Sequence, residues 1–189
     1  MWRFPRKHLW RCLALTEMSL KASEPVSETS LGIYIHIPFC LKKCNYCDFL
    51  SFLLPCRDRV ADYILGLKKE LELAAPQLKG AKVISVYIGG GTPSLLAAQS
   101  LKDILTAVQQ HFSLWEKTEV TVEANPGTIF GEKLAEMAAM GVNRLSIGVQ
   151  SFDNRLLAAM GRVHTAEEAV EAFCMARREG FSNINIDLI

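Results

Sequence analysis

No stretch of this chain approaches the roughly 20 apolar residues that a membrane-spanning helix needs; the greasiest run, 49–54 (FLSFLL), ends after six residues. Charge of one sign is lacking too. Lysine and arginine number 21 against 20 acids, and a net charge of +1 supplies no electrostatic reason for a nucleic-acid or anionic-membrane partner. Collagenous and low-complexity segments are absent, and with 50% hydrophobic and 22% charged residues the composition lies outside the disordered class. Cysteine, at six in 189 residues, is too sparse for a disulfide-built scaffold. No secretory signal is recognisable, so a reducing, cytoplasmic setting is the expectation. What remains is a chain long enough for one domain, or a large part of one, with a sizeable core.

Residues 1–30 read differently from the rest. Arg3, Arg6, Lys7, His8 and Arg11 precede the first acid, Glu17, a bias shared with mitochondrial transit peptides. The alternatives are a mitochondrial leader over 1–17 or an over-long start, with Met18 as the true initiator. Residues 19–30 read as a polar linker, which makes 1–30 a disordered segment and 31–189 the folded core.

From Leu31 onward strands alternate with helices. Strands are expected at 32–39, 82–91, 118–126, 143–151 and 183–189. Between them, Val60, Ile64, Leu67, Leu71 and Ala74 form one helical stripe, and Leu101, Ile104, Leu105, Val108 and Phe112 a second. Leu134, Met137 and Ala138 mark a short helix that Gly141 stops; Ala169, Val170, Phe173 and Cys174 give the face of another, closed by Gly180. Such alternation builds right-handed βαβ units on a parallel sheet, either open and doubly wound or curled into a barrel. The last strand has no helix after it to cover its face, which reads as the N-terminal part of a longer protein.

Straight after the first strand come Cys40, Cys44 and Cys47, whereas Cys12, Cys56 and Cys174 are scattered. An odd trio cannot all pair as disulfides, and a redox CxxC has no use for Cys40. A closed zinc site needs four protein ligands, and no second CxxC or HxxxH follows. His36 lies on the strand face opposite Ile33, Ile35 and Ile37, together with Tyr34, and reads as a satisfied interior histidine. Three thiolates around a 4Fe–4S cube leave one iron open, where most clusters take four cysteines, and an open iron invites a small molecule.

The second strand runs into Gly89-Gly90-Gly91-Thr92-Pro93, a turn whose bare backbone lets a ligand approach. It is not a P-loop, since no Gly-Lys-Ser/Thr follows. Glu123, Gln150 and Asp187 sit at or near the ends of the third, fourth and fifth strands, where a barrel collects its ligand groups. Arg162 by default is a solvated cation, and Asn125, before Pro126, reads as turn chemistry. His111 closes an amphipathic helix, where a cation is favourable by itself. Cys56 and Cys174 read as buried small hydrophobes.

CxxxCxxC with an aromatic residue before its last cysteine is the fingerprint of the radical S-adenosylmethionine (SAM) superfamily. YIHIPFCLKKCNYCDF, YIGGGTPS, VEANP, RLSIGVQSF and INIDLI, in that order over 31–189, resemble the branch that comprises the oxygen-independent coproporphyrinogen III oxidases and the heme chaperones of the HemW type. The resemblance implies a partial TIM-type (β/α) barrel broken off after its fifth strand, and Cys40, Cys44 and Cys47 as ligands of a 4Fe–4S cluster. It implies SAM chelating the open iron, with Tyr34 against its methionine end and Tyr46 beside its adenine. Gly90, Gly91 and Thr92 would bind it through the glycine turn, and Glu123, Gln150, Arg162 and Asp187 match the remaining polar positions of the pocket. The oxidases carry a further cysteine two residues after the third; here that position is Phe49, as in the chaperones. The implied task is to bind heme as cargo and pass it to an acceptor protein, with oxidative decarboxylation of coproporphyrinogen III in porphyrin biosynthesis as the alternative. Among the histidines, His36, His111 and His164 are the conceivable axial ligands.

Overall fold

The computed structural model describes residues 30–189; the leader and start-site readings of the N-terminal segment lie outside them. In chain order the elements are β1 (Ser30–Ile37), β2 (Phe39–Cys40), β3 (Phe52–Leu53), α1 (Arg57–Ala74), β4 (Lys82–Gly90), α2 (Ala98–His111), β5 (Ser113–Ala124), α3 (Gly131–Ala139), β6 (Arg144–Gln150), α4 (Asn154–Ala159), α5 (Ala166–Arg178) and β7 (Asn183–Leu188). Five strands form one sheet in the order β1-β4-β5-β6-β7, and every pairing is parallel. The order follows the chain and never reverses. A doubly wound sheet reverses at its switch point, so the winding is that of a barrel wall, part of a TIM-type (β/α) barrel.

Side-chain alternation gives the wall two different faces. Ile33, Ile35, Ile37, Val86, Ile88, Val120, Val122, Leu145, Ile147 and Val149 are buried on the side where α1, α2, α3 and α5 pack. The opposite, concave face is polar: Tyr34 lies opposite Tyr87, Tyr87 opposite Thr121, Glu123 opposite Ser146, and Ser146 opposite Asn185. Because the side-chain period is two, one residue of slippage would drive this polar row into the helix layer. Register is therefore fixed by burial.

The first two helical stripes behave as the periodicity predicts, with Ile64, Leu67 and Leu71 buried on α1 and Leu101, Ile104, Leu105 and Val108 on α2. Positive φ values at Gly141 and Gly180 end α3 and α5, as expected of αL terminators. The face of α5 is a correction. Its buried residues are Ala166, Ala169, Ala172 and Ala176, while Val170 is 51% exposed and Cys174 is exposed. Small side chains let the helix settle close against its neighbours, and the larger residues are rotated outward. Phe173 is half-buried at the rim, with the Arg177 guanidinium 5.1 Å from its ring centre. Ala138 of α3 is also exposed, its buried face being Lys133, Leu134 and Met137. Cys56 is exposed beside the start of α1 rather than buried. β5 begins at Ser113, five residues before the alternation of 118–126 becomes visible.

The alanine contact sets a specific expectation. Ala172→Leu overfills it and should cost about 1–3 kcal/mol, whereas Cys174→Ser, on exposed surface, should stay within about 0.5 kcal/mol. Denaturant titration of the two variants distinguishes them, and equal losses would contradict the packing described.

Candidate metal and cofactor site

The cysteine loop is closed on itself before it meets the barrel. β2 and β3 pair, with Phe52 N–H donating to Pro38 O at 2.7 Å and Leu54 N–H to Cys40 O at 2.9 Å. His36 braces the same loop from beneath. Its Nε2 lies 2.8 Å from the Leu50 carbonyl, which can only accept, so Nε2 carries the proton and Nδ1 accepts from the Tyr34 hydroxyl at 2.9 Å. This is the satisfied interior histidine expected from its strand face.

The loop's far side docks on α4, a helix that the hydrophobic pattern does not announce. Asn45 N–H donates to Met160 O at 2.9 Å and Asn45 Nδ2 to Ala159 O at 2.8 Å. These are the carbonyls that a helix C-terminus leaves without intrahelical partners. Gly161, at φ +76°, turns the chain directly after α4, and a Cβ there would stand 3.2 Å from Asn45 Oδ1. Two residues of this turn matter most. Arg162 leads inward, with Nη2 2.5 Å from both Asn125 Oδ1 and Gly148 O and Nη1 3.5 Å from Cys44 Sγ. His164 stands behind it, with Nε2 3.0 Å from Val149 O and Nδ1 3.5 Å from Arg162 Nη2. Arg162 is thus no solvated cation.

At the next strand end the glycine turn is packed more tightly than its composition suggests. A Cβ on Gly91 would lie 2.7 Å from Phe39 O, and one on Gly90, where φ is +116°, would lie 2.5 Å from the His36 ring. Its N–H groups are already used: Gly90 N–H goes to Glu123 Oε2 at 2.8 Å, Gly91 N–H to Ile37 O and Thr92 N–H to Phe39 O, each at 2.8 Å. What the turn offers a ligand is therefore carbonyl oxygen, the complement of an amino group. Glu123 also accepts from the Tyr87 hydroxyl at 2.7 Å. Burial and the neighbouring Glu123 carboxylate hold the Tyr87 phenol well above its usual range, so it remains a donor. Beneath the turn, the buried Lys133 ammonium donates to Ser94 O, and its burial lowers its pKa.

Of the residues picked out by sequence, Cys40, Thr92, Cys44 and Arg162 come together through side-chain contacts, since the Thr92 hydroxyl lies 3.7 Å from Cys40 Sγ. Tyr46 joins them, exposed at the loop tip but within reach of Cys44 and Arg162; partial burial raises its pKa, Arg162 opposes that shift and Cys44 adds to it. Gly90 and Glu123 are bonded to each other. Gln150 sits at φ +69°, with its side-chain nitrogen 3.1 Å from where a Cβ on Gly148 would be. Asp187 lies across from Gly148 in the sheet and accepts from Ser146 Oγ at 3.3 Å and Asn185 Nδ2 at 2.6 Å. Tyr34 is deeper on the concave face, its ring stacked on Tyr87 at 6.0 Å. His111 is exposed, outside this cluster.

Sequence reasoning missed Tyr87, Gly148, the place of His164 behind Arg162 and the side-chain role of Asn125. Strand alternation on β4 puts Tyr87 on the same face as Gly89 and carries the signal for that one; the other three depend on contacts between distant segments.

The donor set fits an iron–sulfur cluster with a polar guest. Arg162 Nε is buried without a hydrogen-bond partner, a donor awaiting an acceptor that the described residues do not supply. Among the described residues no three His, Cys, Asp and Glu side chains gather tightly enough for one metal ion; a cluster spreads its thiolates over several irons and makes no such demand.

Comparison with known proteins agrees. Residues 34–189 match the radical SAM superfamily. The chain belongs to that superfamily. It is 41% identical over 174 residues to the heme chaperone HemW of Mycobacterium tuberculosis (strain CDC 1551 / Oshkosh), covering 91% of this chain and 45% of that protein. To the heme chaperone HemW of Escherichia coli (strain K12) it is 40% identical, covering 84% and 42%. In three dimensions it is similar to coproporphyrinogen III oxidase (HemN) from Escherichia coli, described as a radical SAM enzyme, with a TM-score of 0.77 at 31% identity over 82% of this chain and 36% of that one. The chain thus spans under half the length of the curated relatives it matches. Among the described residues no helix is long and apolar enough to cross a membrane.

The buried His164 gives this site a pH dependence. Burial, then the Arg162 cation, lowers its pKa from the usual 6.5. The native state binds fewer protons than the unfolded chain once pH falls below that value, so the stability present above it is lost as pH drops through the lower folded pKa. Denaturant titrations at about pH 7.5 and 5.5 should show this loss, and His164→Gln should reduce it. An equal loss in the variant would assign the dependence to other groups.

Proposed function

We propose that this chain binds a 4Fe–4S cluster through Cys40, Cys44 and Cys47, takes SAM at the open iron, and forms the N-terminal part of a heme chaperone that passes heme to an acceptor protein. The observation that carries this reading is the thiol loop held between Thr92 and Arg162, in a chain about 40% identical to proteins named heme chaperones. Phe49, where the oxidases carry a further cysteine, supports the chaperone over the oxidase.

When bound, the cluster and SAM would supply one-electron chemistry at the SAM sulfonium. The chain's own part is binding and orientation. Glu123 fixes the Gly90 N–H and so directs the turn's carbonyls toward an amino group. The Nε of Arg162, without a partner among the described residues, offers a charged donor to a carboxylate. Gln150 and Asp187 line the same strand ends, Tyr34 would meet the methionine end, and Tyr46 at the loop tip would lie against the adenine. A reducing cytoplasmic compartment suits thiolates kept available for iron.

A second reading, an oxygen-independent coproporphyrinogen III oxidase, draws on the fold likeness to the Escherichia coli enzyme. Anaerobic titration with hemin separates the two: a saturable Soret band is expected, and its absence removes the chaperone reading. Decarboxylation of coproporphyrinogen III with SAM and reductant would favour the oxidase instead. After anaerobic reconstitution, Cys40→Ala, Cys44→Ala and Cys47→Ala should each lose the cluster's visible charge-transfer absorption. Wild-type absorption in any one of them would remove that residue as a ligand.

A further inference from the structure

We propose that Asn125 is a positioning residue that ties the thiols of Cys40 and Cys44 into one hydrogen-bonded strap and thereby tunes the cluster they would hold. This rests on the cluster-binding reading above and adds to it a residue outside the thiol and SAM sets.

The strap can be followed atom by atom. Arg162 Nη1 donates to Cys44 Sγ at 3.5 Å, and Arg162 Nη2 donates to Asn125 Oδ1 at 2.5 Å. From the other end of the same amide, Asn125 Nδ2 donates to Thr92 Oγ1 at 3.1 Å, and the Thr92 hydroxyl donates to Cys40 Sγ at 3.7 Å. The directions are consistent along its whole length. A guanidinium has only donors, so the amide end facing it must be the oxygen, which leaves the NH₂ for Thr92. With its lone pair so occupied, the Thr92 hydroxyl proton is free to point at sulfur.

The turn expected at Asn125 exists, and the backbone makes it: Thr128 N–H donates to Asn125 O at 2.9 Å and the Thr128 hydroxyl donates to the same oxygen at 2.7 Å. The side-chain amide also faces the Thr128 N–H in a capping box, and its two ends reach Thr92 and Arg162 in the strap. Room for it is made by Gly148, where a Cβ would come within 3.1 Å of Asn125 Oδ1 and 3.4 Å of Arg162 Nη2.

Hydrogen bonds to cluster sulfurs stabilise the more negative, reduced state and raise the potential. One amide controls two such bonds here. Its removal frees the Thr92 hydroxyl to rotate away from Cys40 and deprives Arg162 of one of its two closest anchors near Cys44.

The test is an EPR-monitored redox titration of the anaerobically reconstituted full chain, without SAM, so that any contribution of these residues to SAM binding is silent. Asn125→Ala should load iron like the wild type yet show a more negative midpoint potential, a several-fold loss in the reduction equilibrium, where tenfold is about 59 mV for one electron. Thr92→Val, which cuts only the Cys40 end, should shift the same way by less, and Thr92→Ser should restore the wild-type value. The Asn125→Ala, Thr92→Val double variant should shift by less than the sum of the singles, since the bonds act in series. A wild-type potential in iron-loaded Asn125→Ala, or fully additive shifts, would overturn the proposal. If Asn125→Ala fails to fold, Thr92→Val decides: an unchanged potential overturns the strap, and a negative shift restored by serine supports it. A wild-type chain that loads no cluster would bring down the cluster-binding reading itself, and the strap with it.

Discussion

Arg162 draws into one place segments that lie far apart in the chain: the cysteine loop through Cys44, the end of β5 through Asn125, β6 through the Gly148 carbonyl, and the turn after α4 that carries the arginine itself. A half-buried guanidinium is tolerable only where its donors find acceptors, and here the acceptors come from a thiol, an amide and a backbone carbonyl rather than from a carboxylate. Among the described residues no carboxylate pairs with this charge. It faces a loop whose thiols would become anionic on binding the proposed cluster, and among the described residues its remaining buried donor, Nε, has no partner.

The geometry that permits this is a matter of removed side chains. At Gly91 the Phe39 backbone, at Gly90 the His36 ring and at Gly148 the Asn125–Arg162 contact occupy the volume that a Cβ would take. Each glycine lies at or near a strand end on the concave side, where two backbones or a backbone and a guanidinium approach closely. The apolar outward face, by contrast, tolerates ordinary β-branched residues because it meets helices. One wall therefore serves two demands, close packing behind and close backbone approach in front, by alternating residue type with the pleat.

Much of this was legible in the sequence, because the strands and first two helices depend on periodicity, which is local. β1, β4 and β6 lie within two residues of the expected spans, and the buried residues of α1 and α2 are those of the stripes apart from Ala107. The thiol spacing and the strand-end positions of Glu123 and Gln150 are likewise local features. What periodicity could not supply depends on partners distant in the chain. α4 is a short helix, stabilised by Asp153, whose side chain accepts from Arg155 N–H, and by the cysteine loop at its far end. The burial of α5 follows from how closely it seats, so its alanines are inside while the more hydrophobic Val170 is outside. Cys174 was misplaced by the same logic, hydrophobicity being a poor guide to rotation when the contact favours small residues. Asn125 looked like a turn residue and is one; its second role is visible only once Thr92 and Arg162 are seen on either side of it.

Position 49 shows how a sequence difference acquires physical content. In the chain the loop is closed by the β2–β3 pairing and by His36 holding the Leu50 carbonyl, and Phe49 is left 67% exposed, with its own carbonyl accepting from Lys43 Nζ at 3.4 Å. A side chain at this place stands in solvent. A cysteine there would add a thiol to the exposed loop surface rather than a fourth ligand to the cluster proposed between Thr92 and Arg162. Exchanging phenylalanine for cysteine at 49 therefore changes what the loop presents to a partner or a large substrate, and leaves the strap beneath it untouched.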